Sequence, residues 1–367
     1  MRGLYIHIPF CQYICNYCDF VKQVPKNDEM VEKYLDNLIK EIKQYEDRFS
    51  TIETIYIGGG TPSMLTPSQM ERLFLAISPI KASEVTIEVN PDSYSLDKGL
   101  MMKKYGINRV SLGVQSFNDE ILNYVGRKHS KEMVYYTVNS LKTLGINNIS
   151  IDLIYAIPNQ TIEMLENDLK EVKNLSINHV SCYSLILEEK TYFYHQFLEG
   201  KFTPVDNEIE GKMFEIVMDR LKEYGFEHYE ISNFAKNQMY SKHNKLYWTL
   251  QDYIGVGLGA HGFLDNVRTY NHKSLNKYND NPRALEVVQT KNDNIQDYLI
   301  FGLRLIDGIN IDDFNQKFEV DLLKLFPEIK TKINESLLKV NNGNLMLTEK
   351  GIFFGNQVFE VFVWNLS

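Results

Sequence analysis

The sequence predicts an α/β fold built on a parallel sheet. Three observations predict it. From residue 4 to about 187, short apolar strand-like runs alternate with amphipathic helical patterns, the signature of parallel strands joined by right-handed crossovers. Two helical patterns stop on a glycine just before the next strand, in the matching phrases YGINRVSLG and LGINNISID, 39 residues apart. Every polar motif in this stretch falls at or just past a strand end, the functional edge of such folds.

In chain order, strands are expected at 4–10, 53–57, 84–89, 108–113, 149–154 and 179–185. Val31, Tyr34, Leu35, Leu38, Ile42 and Tyr45 recur at helical spacing and predict a helix over 28–47. The next helix opens on Thr66-Pro67-Ser68-Gln69, a capping box with proline at the first helical position. Six strand–helix units fit either an incomplete barrel or a doubly wound sheet. Past residue 190 the rhythm changes, with a helix at 207–224, a strand at 227–231 and an aromatic, glycine-rich stretch at 240–263. From 295 a small, mostly helical module is expected, with a strand pair over 337–348 turning at Asn341-Asn342-Gly343-Asn344. The expected divisions are 1–190, 191–294 and 295–367.

The 367 residues are 44% hydrophobic and 12% aromatic, which suits a substantial core. No window holds eighteen uninterrupted apolar residues, so no membrane span is expected. The first residues run straight into a strand pattern, leaving no room for a signal peptide, and a cytosolic location is expected. The net charge of −9, with no basic stripe, argues against nucleic acid as a partner.

Cys11, Cys15 and Cys18 form a C-x3-C-x2-C run in HIPFCQYICNYCDF, just past the first strand. Three thiolates this close suit an iron–sulfur cluster or zinc. Zinc would need a fourth ligand, His7 or Asp19, although the pleat of the strand already fixes the direction of His7. Cys182, in a distant strand, is expected to be a small core residue. The second strand ends in Gly58-Gly59-Gly60-Thr61, where a ligand can approach the backbone closely. No Gly-Lys-Ser/Thr follows, so it is not a P-loop. Glu88, Gln115, Arg127 and Asp152 fall at the same edge, and together suit a small zwitterion carrying a ribose.

The segments YIHIPFCxxxCxYCDF, GGGTPS, EVNPDS, RVSLGVQSF and SIDLIYAIP resemble the radical S-adenosylmethionine (SAM) superfamily, in its coproporphyrinogen oxidase-like branch. The likeness runs through nearly the whole chain, including a C-terminal module with Leu347-Thr348-Glu349-Lys350-Gly351. It implies an incomplete (β/α)6 barrel. It also implies a 4Fe–4S cluster on Cys11, Cys15 and Cys18, with one iron left for SAM, which can be cleaved reductively. Tyr5, Gly59, Gly60, Thr61, Glu88, Gln115, Arg127 and Asp152 would line the SAM site, with Tyr17 beside the cluster. The branch holds oxygen-independent coproporphyrinogen III oxidases and a heme chaperone, and three features favour the chaperone. The oxidase carries another cysteine where this chain has Phe20; it has an extension before its first motif, where only four residues precede Tyr5; and His243-Asn244-Lys245-Leu246-Tyr247-Trp248 matches the chaperone's HNxxYW motif.

The resemblance therefore implies a protein that binds heme through His243, Tyr247 and Trp248 and passes it to acceptor proteins, respiratory and membrane-associated hemoproteins among them. The alternative is the oxidase. A histidine among aromatics is also a common packing residue. His261, after Gly255-Val256-Gly257-Leu258-Gly259-Ala260, is a second candidate ligand; no long helix follows those glycines, so they are no dinucleotide fingerprint. The chain departs from the family at Ala156 and Asn159, where glycines are expected. No catalytic residue is singled out, and either a monomer or a cluster-dependent homodimer is compatible with the sequence.

Overall fold

The computed structural model describes residues 2–363; residue 1 and the last four residues of the C-terminal module lie outside the described part. Six parallel strands form its centre: β1 (Arg2–Ile8), β2 (Thr54–Gly59), β3 (Glu84–Val89), β4 (Arg109–Gln115), β5 (Asn148–Tyr155) and β6 (His179–Ser184), paired in chain order. The helices between them are α1 (Asp28–Lys43), α2 (Pro67–Ile77), α3 (Leu96–Lys104), α4 (Asp119–Val125), α5 (Lys131–Thr143) and α6 (Ile162–Asn174). The expected stripe of α1 is buried, and its entry is capped by the Asn27 side chain, which accepts the Met30 N–H. The Thr66–Gln69 capping box of α2 forms in both directions. Gly106 and Gly145 take the left-handed conformation (φ +79° and +80°) that ends each helix before the next strand.

The strands alternate in a way that sorts their two faces. On β4, Val110, Leu112 and Val114 join the apolar core, while Arg109, Ser111, Gly113 and Gln115 face a cavity. On β3, Val85, Ile87 and Val89 are core residues and Glu88 faces the cavity; on β5, Ile149, Ile151 and Leu153 are core and Asp152 faces in. One face packs on helices and the other lines a lumen. A doubly wound sheet would be apolar on both faces, so the architecture is the incomplete (β/α)6 barrel.

The barrel does not close. After α7 (Tyr192–Leu198) and α8 (Asn207–Glu223), the strands β7 (Glu227–Glu230) and β8 (Asn233–Ala235) add antiparallel beyond β6. A short helix, α9 (Lys242–Trp248), follows. Then β9 (Asp252–Val256) pairs parallel to β1 on the opposite margin, and β10 (His261–Leu264), β11 (Val267–Asn271) and β12 (Arg283–Val288) extend it antiparallel. The result is one twelve-stranded sheet with two free margins. Residues 291–363 form short helices around a three-stranded sheet. Its hairpin turns at Asn342-Gly343, both with positive φ, as a two-residue primed turn requires. Among the described residues no helix is long and apolar enough to cross a membrane.

Candidate functional site

The loop after β1 carries the three cysteines to the mouth of the barrel, at the strands' C-terminal ends. Cys11 is buried, and Cys15 and Cys18 are partly exposed; all three border one cavity of about 500 Å³. The Thr61 hydroxyl donates to Cys11 Sγ (3.5 Å), and the Arg127 guanidinium donates to Cys15 Sγ (3.9 Å). Burial pushes the Cys11 thiol up to about 11. Among the described residues no three histidine, cysteine, aspartate or glutamate side chains gather as the ligands of a single metal ion. Three thiols bordering one cavity are the ligand type that iron–sulfur clusters take. His7 offers no fourth ligand for zinc: its Nε2–H donates to the Val21 carbonyl (2.7 Å) and its Nδ1 accepts from the Tyr5 hydroxyl (2.9 Å). Cys182 is a buried core residue of β6, on the helix-facing side.

The same cavity brings together Tyr17, Gly59, Gly60, Thr61, Glu88, Gln115, Arg127 and Asp152. Glu88 is held at both oxygens, by the Tyr56 hydroxyl (2.8 Å) and the Gly59 N–H (3.0 Å). Burial, reinforced by the charge of Asp152, raises its carboxyl to about 7. Burial also raises Asp152, although it accepts from Ser111 Oγ (3.1 Å). Arg127 donates to Asn90 Oδ1 (3.0 Å) and to the Gly113 carbonyl, while its Nε has no partner. The glycine turn serves differently from what its sequence suggests. Its N–H groups are all engaged: Gly59 to Glu88, Gly60 to the Ile8 carbonyl and Thr61 to the Phe10 carbonyl. A Cβ on Gly60 would lie 2.9 Å from the Ile8 and Phe10 carbonyl oxygens, so only glycine allows this approach.

Tyr5 is separated from this group and borders a neighbouring cavity of about 460 Å³. The HNxxYW segment is α9, and it is divided. His243 is fully buried at the N-terminal end of the strands; its ring nitrogens share hydrogen bonds with Thr54 Oγ1 and the Tyr247 hydroxyl, both 2.8 Å. Burial pushes it down to about 3, so its imidazole is neutral. The Glu84 carboxylate, at the start of β3, takes the N–H groups of Lys242 (3.1 Å) and His243 (3.0 Å) and so seats the helix. Asn244 reaches the first cavity, whereas Tyr247 and Trp248 wall the second.

Sequence reasoning passed over Arg109, whose side chain is 1% exposed, borders the first cavity and leaves Nε and Nη1 without partners. It also passed over Ser111, Asn90 and Tyr56. The period-2 alternation of polar residues on β2 to β5 is the signal that marks them. Ala156 and Asn159 take left-handed backbone (φ +57° and +69°), which explains why glycines are expected there.

A cysteine loop after the first strand of an incomplete (β/α)6 barrel defines the class: a radical SAM protein. Residues 5–172 match the sequence profile of the Radical SAM superfamily, and residues 289–354 that of the HemN C-terminal domain. A Lactococcus lactis protein named heme chaperone HemW is 40% identical over 371 residues, covering 99% of this chain and 97% of the relative. A Bacillus subtilis protein of the same name is 36% identical over 380 residues, covering 100% of both. The structure of coproporphyrinogen III oxidase (HemN) from Escherichia coli, described as a radical SAM enzyme, superposes with a TM-score of 0.85 over 98% of this chain and 89% of that one. Its 24% identity makes it a likeness of fold. The chain belongs to the radical SAM superfamily and, within it, to the HemW family.

Proposed function

We propose that this chain is a heme chaperone that carries a 4Fe–4S cluster on Cys11, Cys15 and Cys18, binds SAM in the adjoining cavity, and delivers heme to acceptor hemoproteins. The observation that carries the reading is end-to-end similarity to relatives named heme chaperone, 40% identical over 99% of this chain. Phe20, 67% exposed on the cysteine loop where the oxidase carries a cysteine, supports it.

The cluster would supply an iron without a protein ligand and electrons for reductive cleavage of SAM. The chain's own residues bind and orient. Glu88, fixed by Tyr56 and Gly59, pairs with the ligand's ammonium, and Arg127 with its carboxylate. Asp152, fixed by Ser111, accepts from ribose hydroxyls. Gly59 and Gly60 line the same cavity beside Glu88. Tyr17 and Gln115 close the walls beside the cysteines.

Anaerobic incubation of the reconstituted, reduced protein with SAM and coproporphyrinogen III, then mass spectrometry of the tetrapyrroles, tests the reading. The expected result is no product beside an active oxidase control, with stoichiometric heme binding and transfer to an apo-hemoprotein. Loss of two carboxyl groups over several turnovers would make the protein an oxidase instead.

A further inference from the structure

We infer that heme sits in the second cavity, against the aromatic wall of Tyr247, Trp248 and Phe263, with His261 as its axial ligand. This rests on the heme-chaperone reading and concerns where the heme is held.

The cavity's volume, about 460 Å³, falls within the roughly 300–1,000 Å³ of small-molecule sites. It lies beside the cluster cavity and shares Asp19 and Phe20 with it, so a ligand in either touches the cysteine loop. Its walls are aromatic. Tyr247 meets Tyr253 edge-on at 4.7 Å, and Trp248 lies 6.4 Å from Phe301. Rings at these angles present both faces and edges to a flat apolar ligand.

The iron ligand follows by elimination. His7 and Tyr5 border the cavity but are spent on each other and on the Val21 carbonyl. His243, behind the wall, has both nitrogens engaged. Burial raises the phenols of Tyr5 and Tyr247, so neither is a ready phenolate. His261 differs: it is exposed, packs edge-on to Tyr270 at 4.7 Å, and makes no hydrogen bond through either ring nitrogen among the described residues. A neutral imidazole donates a lone pair to iron.

Lys273 and Arg268 supply the remaining complementarity. In a chain of net charge −9, two cations border this apolar cavity. Arg268 is paired with Asp297, while among the described residues no ion pair holds Lys273. A planar macrocycle with an iron at its centre and two carboxylates at one edge meets all three features: aromatic wall, free imidazole and cationic rim. The backbone is shaped for it. Gly259 turns with φ +67°, and a Cβ there would lie 2.8 Å from Val21, so this glycine lets the β9–β10 turn close on the cysteine loop.

Titration of the full chain with ferric heme, followed by its Soret band and by electron paramagnetic resonance, tests the assignment. Wild type should bind one heme with a histidine-ligated spectrum. His261→Ala should lose that signature and bind roughly tenfold or more weakly, and free imidazole should restore the ligated spectrum. Lys273→Glu should weaken binding severalfold with the ligation signature unchanged. Metal-free protoporphyrin should bind wild type and His261→Ala equally. Heme binding by wild type with spectrum and affinity unchanged in His261→Ala would overturn this site alone, as would failure of imidazole to restore the band. No heme binding by wild type would overturn the chaperone reading itself.

Discussion

The seat of α9 and the rim of the first cavity are built differently. At the N-terminal ends of the strands, the first turn of α9 is seated by polar partners: Glu84 takes two of its N–H groups, Ser241 Oγ takes the Asn244 N–H (3.3 Å), and both nitrogens of His243 have partners. At the mouth, groups that face the cavities are left wanting. Among the described residues Arg127 Nε has no partner, and Arg109, rooted at the floor, reaches the first cavity with two nitrogens unpaired. Left-handed Gln115 and Ala156 add backbone strain at the mouth. In this comparison the satisfied groups belong to the scaffold, and the unsatisfied guanidinium nitrogens lie where a ligand could pair with them. The most conspicuous histidine motif in the chain falls, at His243, on the scaffold side.

The largest effect should come at the mouth. Cys15→Ala should remove the cluster altogether, seen as loss of iron and visible absorbance, and SAM binding with it. A variant that kept its iron would break the three-cysteine assignment. Next, at the floor, His243→Ala should cost about 2–4 kcal/mol, because it opens a cavity and strands the hydroxyls of Thr54 and Tyr247. Thermal unfolding should shift down by several degrees while cluster iron per chain stays constant. Unchanged stability with an altered heme spectrum would move His243 to the functional side and erase the contrast between the ends.

A smaller effect concerns charge at the mouth. Burial holds Glu88 near 7, above the usual carboxylate range, so its carboxylate forms only as pH rises through neutrality. If it pairs with the SAM ammonium, SAM affinity should climb roughly five- to tenfold between about pH 6 and pH 7.5, above which the ligand's own α-amino group begins to lose its proton. Glu88→Gln should bind more weakly and flatten that rise. A wild-type profile that stays flat would mean that Glu88 does not pair with the ammonium. The smallest effect tests strain: Ala156→Gly relieves a left-handed alanine and should stabilise by up to about 1 kcal/mol. Equilibrium denaturation reads it, and a loss of stability would show that the turn is unstrained.

What could be read from the chain alone follows the range of the forces involved. The helix caps at Thr66, Gly106 and Gly145 and the cysteine loop depend on neighbours in sequence, and they appear where the pattern puts them. The eight cavity residues were legible because parallel strands deliver their C-terminal ends to one edge. The choice between an open barrel and a doubly wound sheet was also present, in the alternation Arg109-Val110-Ser111-Leu112-Gly113-Val114-Gln115, but only when both faces of the strand are weighed. His243 was not legible. Its burial rests on Thr54 and Glu84, 189 and 159 residues away, and on nothing local. Tyr5 strays for a related reason: its strand has a neighbour on each side, and β9 gives it a second cavity to face.

The two free margins of the sheet carry one more consequence. A closed barrel ties strand number, tilt and stagger together, so no strand can be added without refitting the rest. An open sheet is released from that bookkeeping. Here β7 and β8 lengthen one margin while β9 to β12 lengthen the other, and the second cavity lies wholly on the latter side, next to β1. Relatives with the same cysteine loop and central strands can therefore gain, lose or reshape that annex strand by strand. Diversification at the hem of the sheet leaves the weave at its centre intact.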